Sequence, residues 1–393
     1  MGKKLEIFLV YLKLGLTSFG GPVAHLGYFR EEFIVKRKWL KEQGYADVVA
    51  LCQFLPGPTS SQVGFVIGLL RGGISGGLIA WLAFTGPSVL LMFCFAYGVE
   101  LFSGEAESGI LHGLKIAAVA IVANAVWGMG NKLCIEKSTI TIAFISAIAI
   151  LLWQGALTQL VVIGVGGFIG WGLFLEKKNL GKTASSLSFK IDKKLSYICL
   201  ATFISMLLLL PIIVVALDDK LLEIFSGFFR SGSLVFGGGH VLLPLLEETV
   251  VSTDWVSKSD FLAGYGFAQA LPGPLFSFAA YIGAVMDDVP NGVVCGLWCL
   301  IAIFIPSFLL LIGILPFWEN LRKKNWAQAV LKGTNASVVG LVLAALYDPV
   351  WVNAITEVKD FALALGLFCL LVFWKCPSWL VVLCAAVSGA YWF

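Results

Sequence analysis

Residues 51–64, LCQFLPGPTSSQVG, place two prolines and a glycine inside a run of membrane-grade hydrophobicity, and the stretch occurs twice. About 216 positions later, residues 267–280 read FAQALPGPLFSFAA. Gln53, Pro56, Gly57, Pro58 and Ser61 pair with Gln269, Pro272, Gly273, Pro274 and Ser277. Irregular backbone at membrane depth survives only where it is buried in protein or lines a cavity, so a broken helix present in two copies points to a transporter.

Composition supports that reading. Hydrophobic residues make up 59% of the 393, charged residues 13%, and mean hydropathy is +0.92, values that exclude a soluble globule. Many segments reach or approach the roughly 20 apolar residues that cross hydrocarbon, so the chain reads as an all-α polytopic membrane protein. The net charge of +3 is small and its cations sit in particular loops, which argues against nucleic acid and for lipid and a small solute as partners. Nine cysteines show no CxxC pair and no metal-type spacing; Cys295 and Cys299 share a helix face as buried packing residues. No metal or cofactor is expected. The N-terminus mimics a signal peptide, but Lys13 interrupts the apolar region and no A-x-A site follows, so it reads as mature protein; Glu6 stands where a myristoylation signal wants Ser or Thr. There is no HExxH, metal-binding carboxylate pair, nucleophile–base constellation or P-loop, so the chain does not read as an enzyme.

Apolar segments fall at about 5–20, 46–70, 75–102, 110–130, 139–153 and 155–175, then a polar Lys- and Ser-rich stretch, a full span at 195–217, and six more segments to 393. Lys13-x-Gly15 and Phe19-Gly20-Gly21 match Arg230-x-Gly232 and Phe236-Gly237-Gly238; Pro87-Ser88 matches Pro306-Ser307; Gly113 matches Gly333. The expected organisation is an N-terminal repeat (1–175), a cytoplasmic linker with a connecting helix (176–217) and a C-terminal repeat (218–393). One extra crossing inverts the second copy. Loop charges agree. The loop containing Arg30, Lys36, Arg37, Lys38 and Lys41 is basic, whereas its counterpart holds Glu247, Glu248, Asp254 and Asp260 against Lys258 alone. With the N-terminus in the cytoplasm and the first two segments of each copy re-entrant, cations fall inside and acids outside. Full crossing of all thirteen segments is the alternative.

FGGPVAHLGYFREEFIVKRKWL (19–40), QFLPGPTSSQVGFVIG (53–68), TGPS (85–88), FGGGHVLLPLLEE (236–248) and QALPGPLFSFAAYIG (269–283) resemble the chromate ion transporter family, in its long two-copy form, over nearly the whole chain. The resemblance implies efflux of chromate across the bacterial inner membrane, with sulfate as a chemical mimic, driven by membrane potential or a proton gradient. A homodimer stays open. Segments five and six and the linker carry no family motif.

A tetrahedral dianion explains the residue types. Pro58 suits a helix start, where a missing N–H costs nothing, and the half-helix from Thr59 would aim free N–H groups and the hydroxyls of Thr59, Ser60 and Ser61 at the break. Pro272-Gly273-Pro274 with Ser277 offers the same, and Gln53 and Gln269 lie one turn earlier. A simple kink in a packed helix is the alternative. Gly20, Gly21, Gly237 and Gly238 allow left-handed turns whose N–H groups converge on an anion, or else close helix packing. His240 is either a proton carrier or a structural histidine. Lys13 and Arg230, at equivalent positions, would supply charge compensation unless they snorkel. Thr59, Ser60 and Ser61 outnumber Ser277 and are expected to matter more. Sulfate uptake and an anion channel are the rival functions on this scaffold.

Overall fold

The computed structural model describes residues 2–98, 105–153, 155–175, 191–236, 239–286, 289, 291–321 and 324–392. Gly237 and Gly238, most of the linker (176–190), Asp287, Asp288, Arg322 and Lys323 lie outside the described residues. Among the described residues the regular structure is entirely helical. The first copy comprises α1 (Lys3–Thr17), α2 (Gly21–Arg30) extended by a π-turn (Glu31–Lys36), α3 (Glu42–Phe54), α4 (Thr59–Gly98), α5 (Glu105–Leu133), α6 (Lys137–Leu152) and α7 (Ala156–Leu173). The connecting helix is α8 (Lys193–Leu217). The second copy comprises α9 (Lys220–Leu234), α10 (Leu242–Val250), α11 (Lys258–Ala268), α12 (Phe278–Val285), α13 (Gly292–Ile314), a short α14 (Trp318–Leu321), α15 (Asn325–Ala345), a short α16 (Val352–Ala354), α17 (Val358–Val372) and α18 (Ser378–Trp392). Among the described residues five helices are long and apolar enough to cross a membrane, with shorter apolar helices beside them, as a multi-pass membrane protein requires.

The expected interruptions are present. The chain leaves α3 after Phe54 and re-enters helix at Thr59. In the second copy it leaves α11 after Ala268 and resumes through a 3₁₀ turn at Leu275–Ser277. A further interruption at Gly72 and Gly73 divides α4 into a half-helix and a full span. α1 holds together because Ile7, Val10, Tyr11 and Leu14 recur at helical spacing and are buried against α4, with the Tyr11 hydroxyl donating to the Gly64 carbonyl at 2.8 Å. α9 repeats the arrangement against α13; its start is capped by the Asp219 carboxylate, which accepts from Leu222 N–H.

Packing between the copies is reciprocal. α5 lies along α18, and its counterpart α15 lies along α7. Both crossings are made by glycines. A Cβ on Gly109 would come 2.6 Å from the Gly389 carbonyl oxygen, and one on Gly170 would come 2.7 Å from Gly333 Cα. Backbones this close gain dispersion contact where lipid removes the hydrophobic drive between helices. α8 packs on α13 and α9 but leaves Tyr197, Ile204, Leu208, Ile212 and Val215 exposed, a face suited to lipid.

Ion pairs gather the turns of the first copy. Glu6, at the start of α1, meets Arg37 at 3.5 Å and Arg71 at 3.1 Å. Arg37 also reaches Glu32 at 2.7 Å, and Arg30 forks onto Glu42 at 2.7 and 3.0 Å. The start of α1, the end of α2 and the end of the first half-helix of α4 therefore lie at one end of the molecule. In the second copy Lys258 lies 3.7 Å from Asp348.

If the glycine crossings hold the copies together, Gly333→Leu should lower the melting temperature of the detergent-solubilised chain by the equivalent of at least about 1–3 kcal/mol, the usual cost of overpacking. Gly366→Leu, on an open helix face, should leave it nearly unchanged.

Candidate functional site

The two breaks meet across the copy interface. Gly57 N–H donates to the Val235 carbonyl at 2.7 Å, and Gly273 N–H donates to the Ser18 carbonyl at 2.9 Å. Ser18 and Val235 are equivalent positions, each the residue before Phe-Gly-Gly and each closing its helix in an extended conformation. The end of a helix leaves carbonyls without partners, and an interruption leaves an N–H without one. Here each copy satisfies the other. The glycines are required. Their φ values of +125° and +98° disfavour any side chain, and a Cβ would collide with Ser307 at Gly57 and come 2.9 Å from Ser88 Oγ at Gly273. Ser88 and Ser307 are themselves equivalent, so each break is seated on the other copy's Pro-Ser pair.

Around this crossing the hydroxyls and amides are buried. Pro58 stands just before the half-helix, whose first internal bond runs from Gln62 N–H to the Pro58 carbonyl at 2.9 Å; the N–H groups of Thr59, Ser60 and Ser61 precede it. Ser60 and Ser61 are each 2% exposed. Gln62 Nε2 donates to the Pro56 carbonyl at 2.7 Å and lies 3.4 Å from Ser307 Oγ. Pro272 and Pro274 are buried beside Ser277, whose hydroxyl turns back to the Pro274 carbonyl at 2.9 Å. Ser18 Oγ, Ser61 Oγ, Gln62 Oε1, Thr85 Oγ1 and Gln269 Nε2 are buried without hydrogen-bond partners. Leaving such a group unpaired costs about 1–3 kcal/mol, which makes these atoms the natural contacts of a polar guest.

The other expected residues lie around this crossing in varied settings. Gln53 is exposed on α3, unlike Gln269. Gly20 and Gly21 have φ of +94° and +76°, the left-handed turns anticipated for Phe-Gly-Gly, and they reverse the chain from α1 into α2. His240 Nδ1 lies 3.0 Å from the Tyr265 hydroxyl. Lys13 points to Glu32, 3.9 Å away, with its side chain 62% exposed, and Arg230 is half-buried with Glu248 as its electrostatic neighbour. Lys13 thus lies beside a carboxylate of its own copy. Both cations sit near the end of their helix, where a long side chain reaches outward.

Sequence reasoning missed His25. It is 1% exposed, with Nε2 3.1 Å from the Ser18 carbonyl and Nδ1 3.2 Å from Ser60 Oγ. A carbonyl only accepts, so Nε2 carries the proton, and the neutral ring then accepts from the Ser60 hydroxyl at Nδ1. The Ser18 carbonyl thus receives both His25 and Gly273, and His25 ties the first half-helix to the second break. Its signal was the histidine three residues after Pro22, on a helix starting at Gly21 and therefore facing back toward Ser18.

A cavity of about 310 Å³ lined by Lys132, Glu136, Lys332 and Asn335, and one of about 280 Å³ lined by Gln159, Glu247, Glu248, Lys258 and Asp348, both lie away from the breaks.

The chain matches the family model described as chromate transporter over residues 5–171 and 222–390. It is 27% identical to a chromate transport protein of Pseudomonas aeruginosa, covering 98% of this chain and 91% of that one. It is 28% identical to an uncharacterized transporter of Methanocaldococcus jannaschii, covering 86% and 83%. An uncharacterized transporter of Bacillus subtilis is 32% identical over 130 residues, 33% of this chain and 68% of that one. No solved structure matches significantly.

His25→Ala should lower stability by about 1–3 kcal/mol through the two abandoned partners, read as the melting temperature. His25→Gln, which can meet one partner at a time, should fall between the parent and His25→Ala.

Proposed function

The chain belongs to the chromate transporter family, and from that premise we propose that it exports chromate from the cytoplasm by alternating access, with the paired breaks as the oxyanion site. The observation that carries this reading is the reciprocal seating of Gly57 on Val235 and Gly273 on Ser18, surrounded by buried polar atoms without partners. In this reading the half-helix at Thr59 presents N–H groups and the Ser61 hydroxyl to the anion, and the buried, unpartnered hydroxyls of Ser18 and Thr85 are further donors. Donors fixed in a dry interior favour a dianion without a resident cation, because their dipoles need no reorganisation. Two equivalent elements meeting at one point also suit a site whose access switches between sides.

The proposed frame is two inverted repeats, 1–175 and 218–393, joined by residues 176–217. It is supported by the gathering of Glu6, Arg37 and Arg71 at one end, which favours re-entrant first hairpins, and by the separate grouping of Glu247, Glu248, Lys258 and Asp348. The lysine-rich end then faces the cytoplasm. A dianion leaving a cell that is negative inside gains about 2.3 kcal/mol per charge per 100 mV, so export needs no coupled proton.

Inverted vesicles carrying the chain should accumulate labelled chromate when the lumen is positive. Accumulation of sulfate but not chromate would reassign the substrate, and failure with both would overturn the reading. Ser61→Ala should lower kcat/KM for chromate about tenfold, the worth of one hydrogen bond to a charged group. Ser277→Ala, whose hydroxyl is spent on Pro274, should change it by less than about threefold.

A further inference from the structure

The repeat places a cross-copy contact with a carboxylate at the same position in each half, and the two pairs differ in a way that points to a ligand. Gly113 and Gly333 are equivalent, so His112 on α5 corresponds to Lys332 on α15. α6 and α17 are equivalent too, and both start with a glutamate in a capping box, Glu136 with Thr139 and Glu357 with Asp360. In each half a nitrogen-bearing side chain of the long helix reaches a carboxylate at the start of the other copy's capped helix. His112 Nε2 lies 2.8 Å from Asp360 Oδ1, and Lys332 Nζ lies 2.6 Å from Glu136 Oε1.

One pair is sealed. Asp360 is fully buried, and its second oxygen accepts from Thr356 N–H, Thr356 Oγ1 and Glu357 N–H at 2.8, 2.9 and 2.9 Å. The other pair is open. Thr139 replaces the buried carboxylate, so Glu136 is the acid facing Lys332, and its side chain is 55% exposed. Lys332 also stands 4.1 Å over the Phe174 ring and borders the cavity of about 310 Å³, which Lys132 and the Asn335 amide line as well. That volume is at the low end of the roughly 300–1,000 Å³ of small-molecule sites. Two lysines against one glutamate leave the cavity net positive, and a cleft with one sign of charge concentrates the opposite ion.

We propose that this cavity is a second site for the transported tetrahedral dianion, a loading site on the side where the positive-inside reading puts Lys132, in which the incoming anion displaces Glu136 from Lys332. The inference rests on the reading of the chain as an oxyanion exporter. A loading site is weak and exposed, unlike the buried breaks, so it acts on how much anion is captured and not on how fast the captured anion moves. It also fits the divergence of the two halves: the Asp360 oxygens are spent on His112, Thr356 and Glu357, whereas the Lys–Glu pair borders an open cavity.

The test exploits the opposite parts the two partners play. Initial rates of chromate uptake are measured in inverted vesicles for the full chain, Lys332→Gln, Glu136→Gln and Lys132→Gln. As a loading site, Lys332→Gln raises KM about threefold to tenfold at unchanged kcat, and Glu136→Gln, which frees the lysine, lowers KM. A pair that only fastens α15 to α6 is broken equally by either change, so Lys332→Gln and Glu136→Gln shifting KM in the same direction overturns the inference. Lys132 is exposed and lies outside the pair, so Lys132→Gln keeps the test decisive should Lys332→Gln fail to fold; it raises KM about twofold to threefold, an effect that fades at high ionic strength. An unchanged KM in Lys132→Gln counts against the site. A parent chain that moves no oxyanion overturns the functional reading, and this inference with it.

Discussion

Each Pro-Gly-Pro break leaves backbone N–H groups without a helical partner inside the protein, where a polar group left unpaired is costly. The structure meets that constraint across the copies, through the Ser18 and Val235 carbonyls that the ends of α1 and α9 leave over. Much follows from it. The break must be glycine at Gly57 and Gly273, because only a residue without Cβ adopts the required φ and clears Ser307 or Ser88. The Pro-Ser pairs sit where they do because they are the seats of those glycines. The copies then have one mutual orientation, fixed again at a distance by the glycine crossings of α5 with α18 and α7 with α15.

Symmetry in the backbone coexists with divergence in the side chains. His25 has no counterpart, since Leu242 occupies the equivalent place, and it joins the Ser60 hydroxyl to the carbonyl that holds Gly273. Ser61 keeps a free buried hydroxyl while Ser277 spends its own on Pro274. The scaffold supplies two equivalent breaks, and the polar groups that would grip an anion are concentrated on the first. The open Lys332–Glu136 pair and the sealed His112–Asp360 pair repeat the theme nearer the surface.

The breaks, the repeat and the apolar helices were legible in the sequence because each leaves a local mark: a proline pair, a spacing near 217, a run of hydrophobic residues. The pairing of α5 with α18 and the role of Ser88 and Ser307 were not, although Pro-Ser recurs in the sequence, because a contact between copies has no local signature. His25 was overlooked for a related reason: its partners lie 7 and 35 residues away. Lys13 carries an ambiguous local mark. An apolar stretch with one cation suggests burial, but Lys13, near the end of its helix, reaches outward to Glu32.

The most direct measurement is the anomalous scattering of chromium in crystals of the chain grown with chromate. The account predicts a chromium peak at the crossing of the two breaks, within hydrogen-bonding reach of Ser61 Oγ and the N–H groups that open the half-helix at Thr59. Chromium ordered elsewhere in the molecule, with none at the crossing, would contradict it.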